Sequence, residues 1–141
     1  MKVKDIMVQP VETVTTDATV QEAALKMKKA DIGVLPVYEG GELVGMLTDR
    51  DIVINSAAVG QDPRMTKVDG SMHRGVEWCA EDQDVEEVAM IMKEKKVRRL
   101  PVMDRGKHLV GIVSLGDIAA GGDEILAGEA YERIAEEDAR R

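Results

Sequence analysis

The chain has no phenylalanine, one tryptophan and two tyrosines, so aromatic rings make up only 2% of its 141 residues. Its core must be aliphatic, filled by valine, isoleucine, leucine, alanine and nine methionines, and few rings remain on which the bases of a nucleic-acid strand could stack. Basic residues are outnumbered, 19 against 27 acidic ones. The resulting formal charge of −8 repels a phosphate backbone or an anionic bilayer over the surface as a whole. Neither nucleic acid nor membrane is an expected partner. Cysteine occurs once, at Cys79, which excludes an internal disulfide and a cysteine-based zinc cage and suits a small core side chain. No apolar run approaches a membrane span, and the opening MKVKDIM lacks the apolar stretch of a secretory signal, so a cytoplasmic protein is expected.

What is present is repetition. With 44% hydrophobic residues the chain can fill one compact domain or two small halves sharing a core. A shift of 65 places lays Met72, Val76, Glu77, Asp82, Val85, Glu87, Ala89, Met92, Lys93, Leu100, Pro101 and Val102 on identical residues, from Met7 to Val37. After one extra residue in the second copy's turn, a shift of 66 lays Leu109-Val110-Gly111 on Leu43-Val44-Gly45 and Asp117-Ile118 on Asp51-Ile52.

Each copy spells the same elements. A short strand near Val11 to Thr15, or Val76 to Ala80, leads through a polar turn to a helix. Thr19 and Glu22 form a capping box ahead of an apolar stripe at Val20, Ala23, Ala24 and Met27; in the second copy Asp84 is expected to cap, with Glu87 three places on. Val34-Leu35-Pro36-Val37 begins a strand whose proline suits an edge or a first position. A turn at Glu39-Gly40-Gly41, or Asp104-Arg105-Gly106, closes a hairpin, and a second helix follows. The expected fold is α/β, of mixed α+β type: tandem β-α-β-β-α repeats packed sheet to sheet with pseudo-twofold symmetry, each too small to bury its sheet alone. The boundaries read as 1–58 and 71–121 for the repeats, with a Gly-, Pro- and Asp-rich linker at 59–70. An amphipathic helical tail over 122–141 carries Leu126, Ala127, Ala130, Tyr131 and Ile134 on one face, to be buried against the body or a twin chain.

The segments GMLTDRDI and GIVSLGDI carry the chemistry. Thr48-x-x-Asp51 and Ser114-x-x-Asp117 are capping boxes, but each sits where a strand's carboxyl end meets a helix amino end, a place that favours phosphate. A carboxylate there can accept two hydrogen bonds from the vicinal hydroxyls of a ribose. Hydroxyl, helix N–H groups and carboxylate together describe a site for a nucleoside phosphate. A slot for the base would come from Val14 and Thr15 with Ile32 to Val34 in the first copy, and from Cys79 and Ala80 with Val97 in the second.

The doubled LPV, the hairpins and the segments VGMLTDRDI and VGIVSLGDI resemble a pair of cystathionine-β-synthase-type (CBS) domains, a Bateman module, over about Met1 to Gly121. That resemblance implies a non-enzymatic module that binds AMP, ADP, ATP or S-adenosylmethionine in clefts between the repeats and dimerises. Asp51 and Asp117 would take ribose hydroxyls, and Thr48 and Ser114 phosphate or ribose oxygens. The family's contacts just before the LPV proline put Arg98 and Arg99 beside the second cleft, where a guanidinium can fork onto phosphate. The first copy has Gly33 and Val34 instead, so the two sites should not bind alike.

Little else competes. His73 and His108 fall apart in the repeat map and read as surface or turn residues; no metal site, nucleophile elbow or Walker loop is present. Trp78 reads as core or dimer packing, with cleft lining as the alternative. The expected function is regulatory: an adenosyl ligand, not a catalytic cofactor, shifts the packing of a homodimer that signals to an unidentified target protein. The alternative is a constitutive dimer scaffold whose tail docks another protein and which takes no nucleotide.

Overall fold

The computed structural model describes residues 1–121 and 123–139; Gly122, Arg140 and Arg141 of the expected tail lie outside the described residues. The backbone forms two compact units, one of Glu12–Val76 and one of Met1–Val11 with Glu77–Arg141.

The Glu12–Val76 unit contains β1 (Val14–Thr15), α1 (Val20–Ala30), β2 (Val34–Glu39), β3 (Glu42–Thr48), α2 (Asp49–Asn55) and β4 (His73–Arg74). Its sheet runs β1-β2-β3-β4, with β1 parallel to β2 and the other pairs antiparallel. The predicted capping box starts α1: Thr19 Oγ1 accepts from Glu22 N at 3.1 Å, and Thr19 N donates to the Glu22 carboxylate at 3.4 Å. Val20, Ala23 and Met27 turn inward, one turn apart, and Ala23 and Met27 share a core with Leu35, Val37 and Leu47 of the hairpin. Fully burying each of the two leucines contributes roughly 1.5–3 kcal/mol. The stretch between the repeats belongs to this unit: Val68 is fully buried in its core, and its N–H donates to the Ala18 carbonyl.

Two local expectations give way here. Pro36 lies inside β2, a central strand, not at its edge or first residue. It is tolerated because β1 pairs only with Val37 and Tyr38, so no strand on that side requires an N–H from residue 36. The first strand shrinks to Val14–Thr15, and the Thr13 carbonyl is taken by Lys26 Nζ at 2.6 Å.

The other unit contains β5 (Cys79–Ala80), α3 (Val85–Lys95), β6 (Arg99–Met103), β7 (Leu109–Ser114), α4 (Leu115–Ala120) and α5 (Glu124–Ala139), with sheet order β5-β6-β7. The chain's first residues complete it. Val3 is fully buried in its core, and Val8 and Ile112 exchange backbone hydrogen bonds at 2.8 and 3.0 Å. Val8 thus stands on Ile112 as His73 of β4 stands on Met46, the residue 66 places before Ile112. Ala127, Ala130 and Ile134 of α5 are buried in the same core as Ala89, Met92 and Ile118, while Tyr131 of the expected stripe is exposed. Asp84 occupies the N-cap position of α3 but makes no capping bond. Its carboxylate is drawn instead to Lys2 Nζ at 3.0 Å, a partner that the N-terminal segment supplies. Among the described residues no helix is long and apolar enough to cross a membrane.

Candidate functional site

Thr48 is the last residue of β3 and the N-cap of α2; Ser114 is the last of β7 and the N-cap of α4. Both capping boxes form with the same geometry. Thr48 Oγ1 accepts from Asp51 N at 3.1 Å while Thr48 N donates to Asp51 Oδ2 at 2.8 Å. Ser114 Oγ accepts from Asp117 N at 3.1 Å while Ser114 N donates to Asp117 Oδ2 at 2.8 Å. The backbone two residues before each β2-type strand's leucine ties in as well: Asp49 N donates to Gly33 O at 3.0 Å, and Leu115 N donates to Arg98 O at 2.9 Å. Each unit therefore brings its predicted hydroxyl, carboxylate and pre-proline residues to one corner.

The two corners differ in the groups they present. In the second, Arg99 faces Ser114 across the β6–β7 ladder and is exposed, with Arg98 beside it. Asp117 is half-buried, and among the described residues its Oδ1 has no hydrogen-bond partner. In the first, Val34 faces Thr48 in the place of Arg99. Gly33 stands in the place of Arg98, and a Cβ there would meet an Asp49 oxygen at 3.0 Å. Asp51 is 4% exposed, and its Oδ1 lies 2.8 Å from His73 Nδ1. The reading of His73 as a surface residue holds for its exposed ring, but the ring is also bonded to a predicted site carboxylate. No spacing in the sequence signals this, because β4 reaches β3 only through the tertiary fold.

The predicted base-slot residues divide by burial. Val14, Val34 and Cys79 are buried, Val14 and Cys79 within the cores of their own units, and so have little surface to offer a base. Ile32, Ala80 and Val97 are half-buried and keep surface to offer. Thr15 is exposed, and its hydroxyl donates to Asp17 at 2.6 Å, which holds that carboxyl below the usual range. Burial pushes the Cys79 thiol up to about 12, so it is neutral at physiological pH. Trp78 is 44% exposed and is not core. Among the described residues no group of His, Cys, Asp or Glu converges to hold a metal ion.

The doubled corner, strand end to helix start with an acid three places on, is the pattern of a known family. The family model described as "CBS domain" matches residues 3–57 and again 67–121. This chain belongs to the CBS-domain family. The CBS domain-containing protein YhcV of Bacillus subtilis is 43% identical over 117 residues, which are 83% of this chain and 82% of that protein. Among solved structures, the CBS domain pair of protein MJ0100, in complex with 5-methylthioadenosine and S-adenosyl-L-methionine, is 33% identical with a TM-score of 0.72. That match covers 85% of this chain and 94% of the other. A hexameric CBS-CP12 protein from bloom-forming cyanobacteria is 34% identical with a TM-score of 0.78, covering 99% of this CBS chain and 85% of that one.

Proposed function

We propose that this CBS-domain pair is a non-catalytic cytoplasmic sensing module that binds an adenosyl ligand and transmits its presence through self-association to a target protein. The observation that carries the reading is the second corner. Among the described residues Asp117 keeps a carboxylate oxygen unused, and Arg99 stands across the ladder from Ser114, so an acceptor for a ribose diol in the first turn of α4 and a donor for phosphate at the start of β6 flank one strand end. The adenosyl compounds in the related MJ0100 pair support the ligand class, and the hexameric neighbour supports self-association. AMP, ADP, ATP and S-adenosylmethionine are the candidate ligands, and they act as regulators, not as reactants. A ligand can shift the packing of repeats or subunits only by its differential affinity for two arrangements, for which couplings of about 1–3 kcal/mol are typical.

Calorimetric titration with these four compounds tests the proposal. A hydrogen bond to a charged group contributes about 1.5–3 kcal/mol, so Asp117→Ala should weaken the best ligand by at least ~10-fold. Failure of all four to bind or to raise the melting temperature would remove the reading and leave a ligand-independent scaffold.

A further inference from the structure

We infer that His73 makes the two repeats unequal ligand sites by occupying the Asp51 oxygen that a ribose diol would use. The inference rests on the adenosyl reading above and specifies which corner accepts the ligand. Asp51 Oδ2 is committed to Thr48 N at 2.8 Å and Oδ1 to His73 Nδ1 at 2.8 Å, and only 4% of the residue is exposed. Both carboxylate oxygens are thus engaged, and the buried residue shows almost no surface to a hydroxyl pair. Asp117 makes the same backbone bond through its Oδ2 but is half-buried, and among the described residues nothing opposes its Oδ1, because Val8 stands where His73 would.

The backbone that carries the imidazole is anchored on both sides. Asn55 Nδ2 donates to Ser71 O at 3.0 Å, Arg74 is bonded to Glu39 and Asp69, and His73 pairs with Met46 in the ladder. Its ring is 74% exposed, so it can turn away only by giving up a charge-assisted bond. Charge points the same way. Asp49 extends its carboxylate over Gly33, where the second repeat has Arg98, and Leu115 replaces Asp49 there. A phosphate therefore meets a second carboxylate at the first corner and the exposed Arg99 at the other.

The expected stoichiometry is one AMP per chain. Equilibrium dialysis with AMP and with adenosine on the full chain should find a single site that Asp117→Ala weakens by ~10-fold or more. His73→Ala, a change at an exposed side chain, should add a second adenosine site and tighten adenosine at the first corner by ~10-fold or more. In the unsubstituted chain, saturating AMP should leave the His73 imidazole NMR signals unmoved. Two equal AMP sites per chain, or His73 signals that shift with AMP, would overturn the inference while leaving adenosyl binding standing. No adenosine or AMP binding by either the unsubstituted chain or His73→Ala would overturn both.

Discussion

Gly45 on β3 packs so tightly against His73 on β4 that a Cβ added to it would stand 2.1 Å from the His73 carbonyl oxygen. Backbone cannot yield as a side-chain tip can, so Gly45→Ala must push β4 off β3, at about 1–3 kcal/mol for overpacking. At the matching Gly111 the added atom would meet the Met7 side chain, with Sδ at 2.6 Å, which can rotate aside. Urea unfolding should find Gly45→Ala the more destabilising of the two. The reverse order would contradict the asymmetry of the two edges.

The N-terminal segment is structural in the same way. Val3→Ala removes two methyl groups from a fully buried site and should cost about 2 kcal/mol, counting transfer and cavity together. Val8→Ala, at a 57% exposed position, should be nearly neutral. Paired chemical denaturation curves check this.

Cys79 should be unreactive in the folded protein. Its side chain is buried, its Sγ lies 3.8 Å from Pro101 O, and burial pushes its thiol up to about 12. A thiol reagent at pH 8 should label it only on unfolding. Because the folded value lies above the ordinary 9.0, this group subtracts no stability below that pH and erodes it as pH rises from about 9 toward 12.

Lys2 and Asp84 tie the N-terminal segment to the start of α3, and the ammonium holds the Asp84 carboxyl below its usual range. A depressed carboxyl stabilises the fold above its unfolded value and loses that contribution as acid titrates it through the folded one. Both side chains are about half exposed, at 49% and 47%, so the effect is small and salt-sensitive. Melting temperatures of the native chain and Asp84→Asn should differ slightly at neutral pH and converge in acid.

Arg99 begins β6 with an exposed side chain and packs into no core. Arg99→Ala should leave the melting temperature of the free protein unchanged and weaken ATP by ~10-fold while barely touching adenosine. Equal losses for both compounds would place the arginine outside the phosphate site.

Much of this was legible along the chain. Helix starts, hairpins and the two Thr/Ser-x-x-Asp corners are local: their partners lie within a few residues, so periodicity and spacing encode them. The corner's hydroxyl and acid are therefore legible in the spacing, whereas the arginines before the proline came from the family resemblance. Where local rules conflicted with a distant partner, the distant partner prevailed, as when Lys2 drew Asp84 away from its helix and the short β1 admitted Pro36 to a central strand.

The amino-acid order by itself determined a doubled β-α-β-β-α unit with an aliphatic core and a pair of equivalent strand-to-helix corners. Only the tertiary structure decided that residues 1–8 complete the unit built from the second repeat and that His73 lands on Asp51 while Val8 lies at the matching place. The physical reason is that edge pairing is made by backbone groups, which every residue carries, so no side-chain pattern announces which distant segment will take the edge.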